Sequence, residues 1–481
     1  MTTSKNAEAP VLLLFRRDLR LADNRALSAA AATGRPVVPL FILDEGAKGM
    51  RASGAASRWW LHHSLVELGK QLHSFGASLV LRKGRTGTVV DEVVGKIGAD
   101  TVLWNRRYDP AEVAVDSDLK ASLRGRGVRA ESFDGFLLHE PSLLKTGAGG
   151  PYKVYTPFWR ALAKEVDPRD PVDRPGHLRA FEPALASDRL DDWGLLPTRP
   201  DWAVGLRAEW APGEDGAHKL LAKFVGGALD GYGLGRDLPG IVGTSKLSPH
   251  LAHGEITPFQ IWKALRSKRV DASSGDVETF RKEIVWREFC YHLLFHNPDL
   301  ARENFQGRFD DFPWDSDRRL VRAWQRGLTG YPIVDAGMRE LWRTGWMHNR
   351  VRMIAASFLI KHLLTDWRKG EEWFWDTLVD ADPANNPANW QWVAGSGADA
   401  SPYFRIFNPI LQGEKFDPEG NYVRFHVPEL ERLPGKYIHR PWKAPEAILS
   451  AAGVKLGADY PVPVIDHQSA RRRALDAYKS I

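Results

Sequence analysis

The sequence predicts an α/β fold joined to an all-α one: a five-stranded parallel, doubly wound domain over residues 1–138, a long connector over 139–215, and a helical domain over 216–481. Three observations carry this. Short β-rich runs alternate with helical segments as far as Phe133, a stretch thick in Pro, Gly and Asp follows, and after His218 no strand of comparable length interrupts the helical period.

In the first region Val11–Phe15, Pro36–Leu43, Ser78–Arg82, Thr101–Trp104 and Val128–Phe133 read as strands. The segments between them, Arg25–Ala32, Ser57–Ser74, Val89–Ile97 and Ala111–Arg124, read as helices. Alternation at this spacing implies right-handed crossovers and a sheet covered on both faces. Such sheets bind ligands beyond the carboxyl ends of their strands. Arg16, Arg17 and Arg20 follow the first strand; read from composition, they form a solvated loop with a salt bridge to Asp18 or Asp23.

The connector is marked by GAGGPYK, DPRDPVDRPG and PTRPDW, with YKVYTPFWR (Tyr152–Arg160) as a local docking segment. Helical spacing then runs through His218–Leu229, Pro258–Ser267, Val277–His296, Arg318–Gln325, Ile333–Thr344, Arg350–Thr365 and Glu371–Leu378. Arg471–Arg473 read as a solvated helix face.

Composition limits the function classes. The chain has 481 residues, 43% hydrophobic and 26% charged, as expected of a globular protein of two or three domains. Lys and Arg outnumber Asp and Glu by 66 to 60, a mild excess that favours an anionic partner without naming one. A single cysteine, Cys290, excludes an intramolecular disulfide framework and fits a reducing compartment. No apolar run reaches the roughly 18 residues of a membrane span, and MTTSKNAEAP lacks an export signal, so a cytoplasmic protein is expected.

The chemistry concentrates between Trp346 and Trp392. Val351, Ile354, Ala355, Phe358, Leu359 and Leu363 recur at three and four, the period of a helix with one covered face. Asn349, Arg352 and Met353 share a second face, with Arg350 beside them. By spacing alone this is either a polar-lined concave site or a Trp-rich core with solvated arginines. The loop DADPANNPAN favours the site: Asp380, Asp382, Asn385, Asn386 and Asn389 offer more donors and acceptors than a capping turn needs.

Two further clusters have the same character. In GTSKLSPHL, Ser248 is a good N-cap, Pro249 suits the first turn, and Thr244 and Ser245 add hydroxyls, a pattern that binds phosphate or merely caps a helix. In ETFRKEIVWREFCYHLL, Glu283, Trp286 and Arg287 fall on one helix face. A carboxylate, an indole and a guanidinium can accept from base edges, stack on a base and neutralise a phosphate. The alternative is a salt-bridged surface helix with Trp286 half buried.

FRRDLRLADN at Phe15, WMHNRVRM, ASFLIKHLL followed by DWR, DADPANNPANWQW and YFRIFNPILQGEKFD resemble the photolyase/cryptochrome family of flavoproteins, in the right order over nearly the whole chain. The resemblance implies an antenna chromophore in the N-terminal domain, a folate or a deazaflavin, with methenyltetrahydrofolate preferred. It implies FAD in the helical domain, held by Tyr232, Thr244, Ser245, Lys246, Leu247, Ser248, Arg352, Asp380, Ala381, Asp382 and Asn386. Asp380 would pair with Arg352, and Asp382 would contact the flavin ring edge. Asn386 would face the reactive ring nitrogen, where an amide, unlike an aspartate, exchanges no proton and favours the anionic reduced flavin.

The same resemblance assigns Arg236, Glu283, Trp286, Arg287, Asn349, Arg350, Met353, Trp392 and Gln412 to DNA, with Arg405 and Lys415 near the last of these. Trp390, Trp367 and Trp314 would relay electrons between flavin and surface. The implied activity is light-driven repair of cyclobutane pyrimidine dimers: reduced flavin gives one electron to a flipped-out dimer, the ring splits, and the electron returns. Asn349 and Met353 stand where the (6-4) branch would show a histidine. UV-damaged DNA is then the partner of a monomer that requires no metal, no membrane and no obligate protein partner. A cryptochrome-type photoreceptor is the alternative on the same fold, and a flavin-free helical nucleic-acid-binding module is the alternative from another class.

Overall fold

A computed structural model describes residues 8–267, 275–315, 317–399 and 404–481. The leading MTTSKNA and Tyr403 of the YFRIFNPILQGEKFD motif lie outside them. The N-terminal half holds β1 (Val11–Phe15), α1 (Arg25–Ala32), β2 (Val37–Leu43), α2 (Ala55–Ser74), β3 (Val80–Lys83), α3 (Thr86–Ile97), β4 (Thr101–Asn105), α4 (Pro110–Gly125) and β5 (Arg129–Phe133). All strands are parallel, in the order β3-β2-β1-β4-β5.

Successive residues of a strand face opposite sides, and β1 uses both. Val11, Leu13 and Phe15 pack with Leu27, Leu65 and Leu68 of α1 and α2, whereas Leu12 and Leu14 pack with Val90 and Val93 of α3 and Leu119 of α4. Both faces are therefore covered, which is why β1 and β2 read as unbroken apolar runs.

The ends of β1 and β4 differ from the sequence reading. Arg16 and Arg20 are buried rather than solvated. Arg16 and Arg107 face Asp116, and Arg17 meets Glu112, so ion pairs fill the crevice beyond the strands. Arg20 donates to the carbonyls of Asp23, Gly135 and Gly254 at 2.7, 3.1 and 2.8 Å, tying the two halves together. Composition misled here because a guanidinium has enough donors to be buried against carbonyl groups.

The connector is ordered and serves both halves. Its Tyr155–Glu165 helix buries Tyr155, Phe158 and Leu162 against the helical half, while Leu178, Trp193 and Leu195 complete the core on the α1–α2 face of the sheet. Glu214 receives the backbone N–H groups of Leu21 and Ala22 at 2.7 and 2.9 Å. Glu255, also buried, accepts from Trp60 Nε1 and the Gly213 N–H at 3.0 and 2.8 Å.

The helical half has two main apolar clusters. One gathers Phe280, Ile284, Phe289 and Leu293 of the Gly275–His296 helix with Tyr232, Leu247 and Leu251. The other gathers Val351, Leu359, Trp367, Phe374, Leu378 and Trp390. Two local predictions fail. The predicted helix to Thr365 is α-helical only over Asn349–Ser357 and continues as a π turn over Phe358–His362. The second half of the predicted loop DADPANNPAN is helical, Asn385–Ala394, because Asp382 Oδ1 accepts the N–H groups of Ala384 and Asn385 and Pro387 falls in the first turn, where it costs nothing. Among the described residues no helix is long and apolar enough to cross a membrane.

Candidate active site

Between the two clusters lies a cavity of about 480 Å³. Four elements supply most of its polar lining: Ser245 and Ser248 before and within the short Ser248–Ala252 helix, Glu283 and Arg287 on the Gly275–His296 helix, Asn349, Arg350 and Arg352 on Asn349–Ser357, and Asp380 to Asn389 around the start of Asn385–Ala394. Tyr232, Leu251, Phe374, Leu378, Trp390 and Val393 close it with apolar surface.

The deep wall is built from charge pairs. Arg352 donates to both oxygens of buried Asp380, at 3.1 and 2.8 Å, and its Nε donates to the Met347 carbonyl at 2.7 Å. The expected Arg352–Asp380 pair is present and two-pronged, the geometry a planar guanidinium favours. Asp382 Oδ1 is taken by the helix start and by Asn385 Nδ2, and Oδ2 accepts Tyr291 Oη–H at 2.6 Å. Burial and the Asp382 charge raise the Tyr291 pKa, so the phenol stays a donor. A second lone pair on Oδ2 is what Asp382 retains for a ligand.

Nearer the mouth, Glu283 pairs with Arg236 and Arg350 with Asp237 at 2.7 Å. Burial lowers the Arg236 pKa, but the bond and charge of Glu283 outweigh it, and the net shift is upward. Trp286 has its indole 3.6 Å from and nearly parallel to Tyr155, whose Oη–H donates to the Lys282 carbonyl at 2.6 Å, so one indole face is backed and the indole also lines the cavity. His348 is buried and neutral, pushed down to about 4 by burial and by Arg350 and Arg352 despite Asp237. Its Nδ1 accepts the Arg350 N–H at 3.2 Å and so begins the helix that presents Asn349 and Met353.

The structure brings Tyr232, Arg236, Ser245, Leu247, Ser248, Glu283, Trp286, Arg287, Asn349, Arg350, Arg352, Met353, Asp380, Asp382, Asn386, Trp390 and Trp392 to one cavity. Four of the cofactor and DNA assignments fall outside its wall. Thr244 lies beside it, Lys246 turns to Glu209, Ala381 belongs to the adjoining core, and Gln412 sits on the Pro409–Phe416 helix, whose Phe416 lies under Arg350. Arg405 and Lys415 are exposed.

Two details are corrected. Ser248 is not an N-cap but the first residue of its helix, where its hydroxyl accepts Trp346 Nε1–H at 3.2 Å. Arg287 is not a surface cation at i+4 from Glu283: it is buried over Phe136 and bonded to the Phe136 carbonyl and Glu288, because the N-terminal half packs against it.

Of the three tryptophans, Trp390 reaches the cavity, Trp367 is fully enclosed with its Nε1–H on Asn304 at 2.9 Å, and Trp314 is half-buried beside Phe312. Glu371, Arg51, Tyr155, Tyr291 and Asn304 were not singled out from the sequence. Of these Tyr155 lies in the YKVYTPFWR segment and Tyr291 in ETFRKEIVWREFCYHLL; the others look like ordinary helix or loop residues.

The donor set suits a dinucleotide cofactor of the flavin class. Hydroxyls at Ser245 and Ser248 are placed for an anion, Arg287 lines the cavity with Nη2 buried and unpartnered, and the apolar floor is wide enough for a ring. Comparison with known proteins agrees. Residues 280–480 match the family described as the FAD binding domain of DNA photolyase, and residues 11–176 that described as DNA photolyase. The chain is 58% identical over 473 residues to a deoxyribodipyrimidine photo-lyase of Agrobacterium fabrum, covering 98% of both chains. The crystal structure of a bacterial class III photolyase from Agrobacterium tumefaciens superposes with a TM-score of 0.96 at 57% identity, covering 99% of this chain and 98% of that one. Cryptochrome-1 of Arabidopsis thaliana is 38% identical over 97% of this chain and 70% of its own length. With this fold, this cavity and this full-length likeness, the chain belongs to the photolyase/cryptochrome family.

Proposed function

We propose that the protein is a deoxyribodipyrimidine photolyase that repairs cyclobutane pyrimidine dimers in DNA under blue light. The observation that carries the reading is the single cavity that joins an Arg352–Asp380 wall to a Glu283–Trp286–Asn349–Met353 mouth. Bound there, FAD supplies light-driven one-electron chemistry. The chain's own part is to hold, orient and enclose.

Ser245 and Ser248 suit the phosphates and ribose, Arg352 and Asp380 the flavin ring, and Asp382 the ring edge. Trp286, held flat by Tyr155, offers its open face to an extruded base, and Glu283 offers acceptors to base N–H groups. Arg236 and Arg350 are offset by Glu283 and Asp237, so phosphate must compete with protein carboxylates for them. Trp390, Trp367 and Trp314 form the proposed relay, from cavity wall to half-buried outer ring. Residues 1–138 form the antenna domain, for which methenyltetrahydrofolate is the preferred chromophore on the family resemblance, and 216–481 the catalytic domain.

The test has two arms. Purified protein should be yellow and release FAD, with the second chromophore identified by mass as a folate or a deazaflavin, and it should split a defined thymine dimer under blue light. Glu283→Ala and Trp286→Ala should weaken binding to dimer-containing DNA at least tenfold, about 1.4 kcal/mol, and binding to undamaged DNA far less. Equal losses on both DNAs place the lesion elsewhere.

A further inference from the structure

Asn386 donates through its amide nitrogen to two acceptors on Glu371, the backbone carbonyl at 3.0 Å and carboxylate Oε1 at 2.8 Å. A carbonyl and an ion-paired carboxylate only accept, so the NH₂ end must face them. Oδ1 is therefore the group that Asn386 offers to the cavity it lines.

Glu371 is 3% exposed and would be an isolated buried carboxylate without a partner. Its partner is Arg51, which donates to Oε1 and Oε2 at 2.7 and 2.9 Å. Arg51 comes from the other half of the molecule, in the segment between β2 and α2. That segment is locked to the Trp367–Thr377 helix at several points. The Arg51 guanidinium lies 4.1 Å over Trp375, Trp375 Nε1 donates to the Ala52 carbonyl at 2.9 Å, and Asp376 accepts the Ala55 N–H at 2.9 Å. A Cβ on Gly54 would fall 2.0 Å from the Trp375 carbonyl oxygen, so only glycine permits this approach.

We propose that Arg51 sets the redox poise of the flavin site, acting through Glu371 to hold Asn386 with its carbonyl oxygen toward the cavity; this rests on reading the cavity as the flavin site. An acceptor fixed opposite the reactive ring nitrogen favours a flavin carrying N–H there, the form left after uptake of two electrons and a proton. The oxidised ring presents only a lone pair at that nitrogen, which meets the amide oxygen unfavourably. Arg51 and Glu371 are positioning residues. The N-terminal half thereby acts on the flavin chemistry directly, apart from any antenna it carries.

Glu371→Gln leaves one side-chain oxygen, which Arg51 claims. The new NH₂ then faces the Asn386 NH₂, so only the Glu371 carbonyl still takes that N–H and the reversed amide, with a donor toward the cavity, competes with the native one. The full-length FAD-loaded protein is used, and the two-electron potential of the bound flavin and the rate of its reoxidation by air in the dark are read. One hydrogen bond of about 1.4 kcal/mol corresponds to about tenfold in the reduction equilibrium, or about 30 mV. Glu371→Gln and Arg51→Met should both shift the potential down, by up to that amount, and speed reoxidation. Arg51→Lys, which keeps the charge but loses the two-pronged contact, should shift it less in the same direction. Should Arg51→Met fail to retain FAD, Arg51→Lys is read in its place. A wild-type potential and reoxidation rate in these variants, at full FAD content, overturns the proposal. A wild-type protein that purifies without FAD removes the underlying reading before any variant is compared.

Discussion

Trp390 belongs at once to the cavity wall and to the core, packed at 4.9 Å edge-on to Phe374 and at 6.3 Å to Trp324. Phenylalanine keeps most of that contact but is far harder to oxidise. Trp390→Phe should therefore slow photoreduction of oxidised FAD by at least tenfold while prereduced enzyme still repairs at close to the normal rate. Steady-state photoreduction and single-turnover repair distinguish the two, and loss of repair by the prereduced enzyme would remove Trp390 from the relay. Residues such as Arg352, Asp380 and Asn386 could be found from the chain because they lie in dense polar runs within an aromatic stretch. Glu371 could not, since an acid on a helix has no mark in sequence, and the partner that gives it a role is 320 positions away.

The Trp367–Thr377 helix depends on a missing side chain. Glycine in a helix interior usually costs about 1 kcal/mol relative to alanine, so Gly370→Ala would ordinarily stabilise. Here a Cβ would stand 2.2 Å from Trp390 Cη2 and 2.6 Å from Leu359 Cδ2, and neither ring nor core can yield freely. Gly370→Ala should instead destabilise by about 1–3 kcal/mol through overpacking and displace Trp390, read as a lower melting temperature together with slower photoreduction. A gain in stability would mean that the indole moves without cost. Elements were legible where period or alternation was strong, as in β1, β2, α1 and the Arg318–Gln325 helix. Composition misleads where a tertiary or capping contact overrules it: the Asn385–Ala394 helix, begun by Asp382, reads as a loop because Asn, Pro and Asp dominate its text.

Among the described residues, five histidines are held neutral far below the usual imidazole range. Burial pushes His253, His292 and His348 down to about 4, and His362 and His426 to about 3. Unfolding returns them to about 6.5, so between those values the unfolded chain binds more protons and stability falls as pH falls. Glu288, raised by burial to about 7, acts oppositely, since its contribution is lost as pH rises from about 4.5 to 7. Burial lowers further imidazoles, among them His62, His439 and His467, and raises further carboxylates, among them Asp18, Asp335 and Glu340. Among the described residues the lowered imidazoles are the more numerous, and the melting temperature should drop from pH 6.5 to 4.5. A flat or rising profile over that interval would show that these imidazoles take up protons without unfolding. The sequence by itself determined the α/β-then-helical order, the family and most of the residues around the cavity, because hydrophobic period and motif density are written along the chain. Only the tertiary structure decided that Arg16 and Arg20 are buried struts, that Arg287 faces the N-terminal half, and that Arg51 reaches Asn386 through Glu371. Those roles depend on which distant groups desolvate a charge and pair with it, and that is a property of packing rather than of spacing.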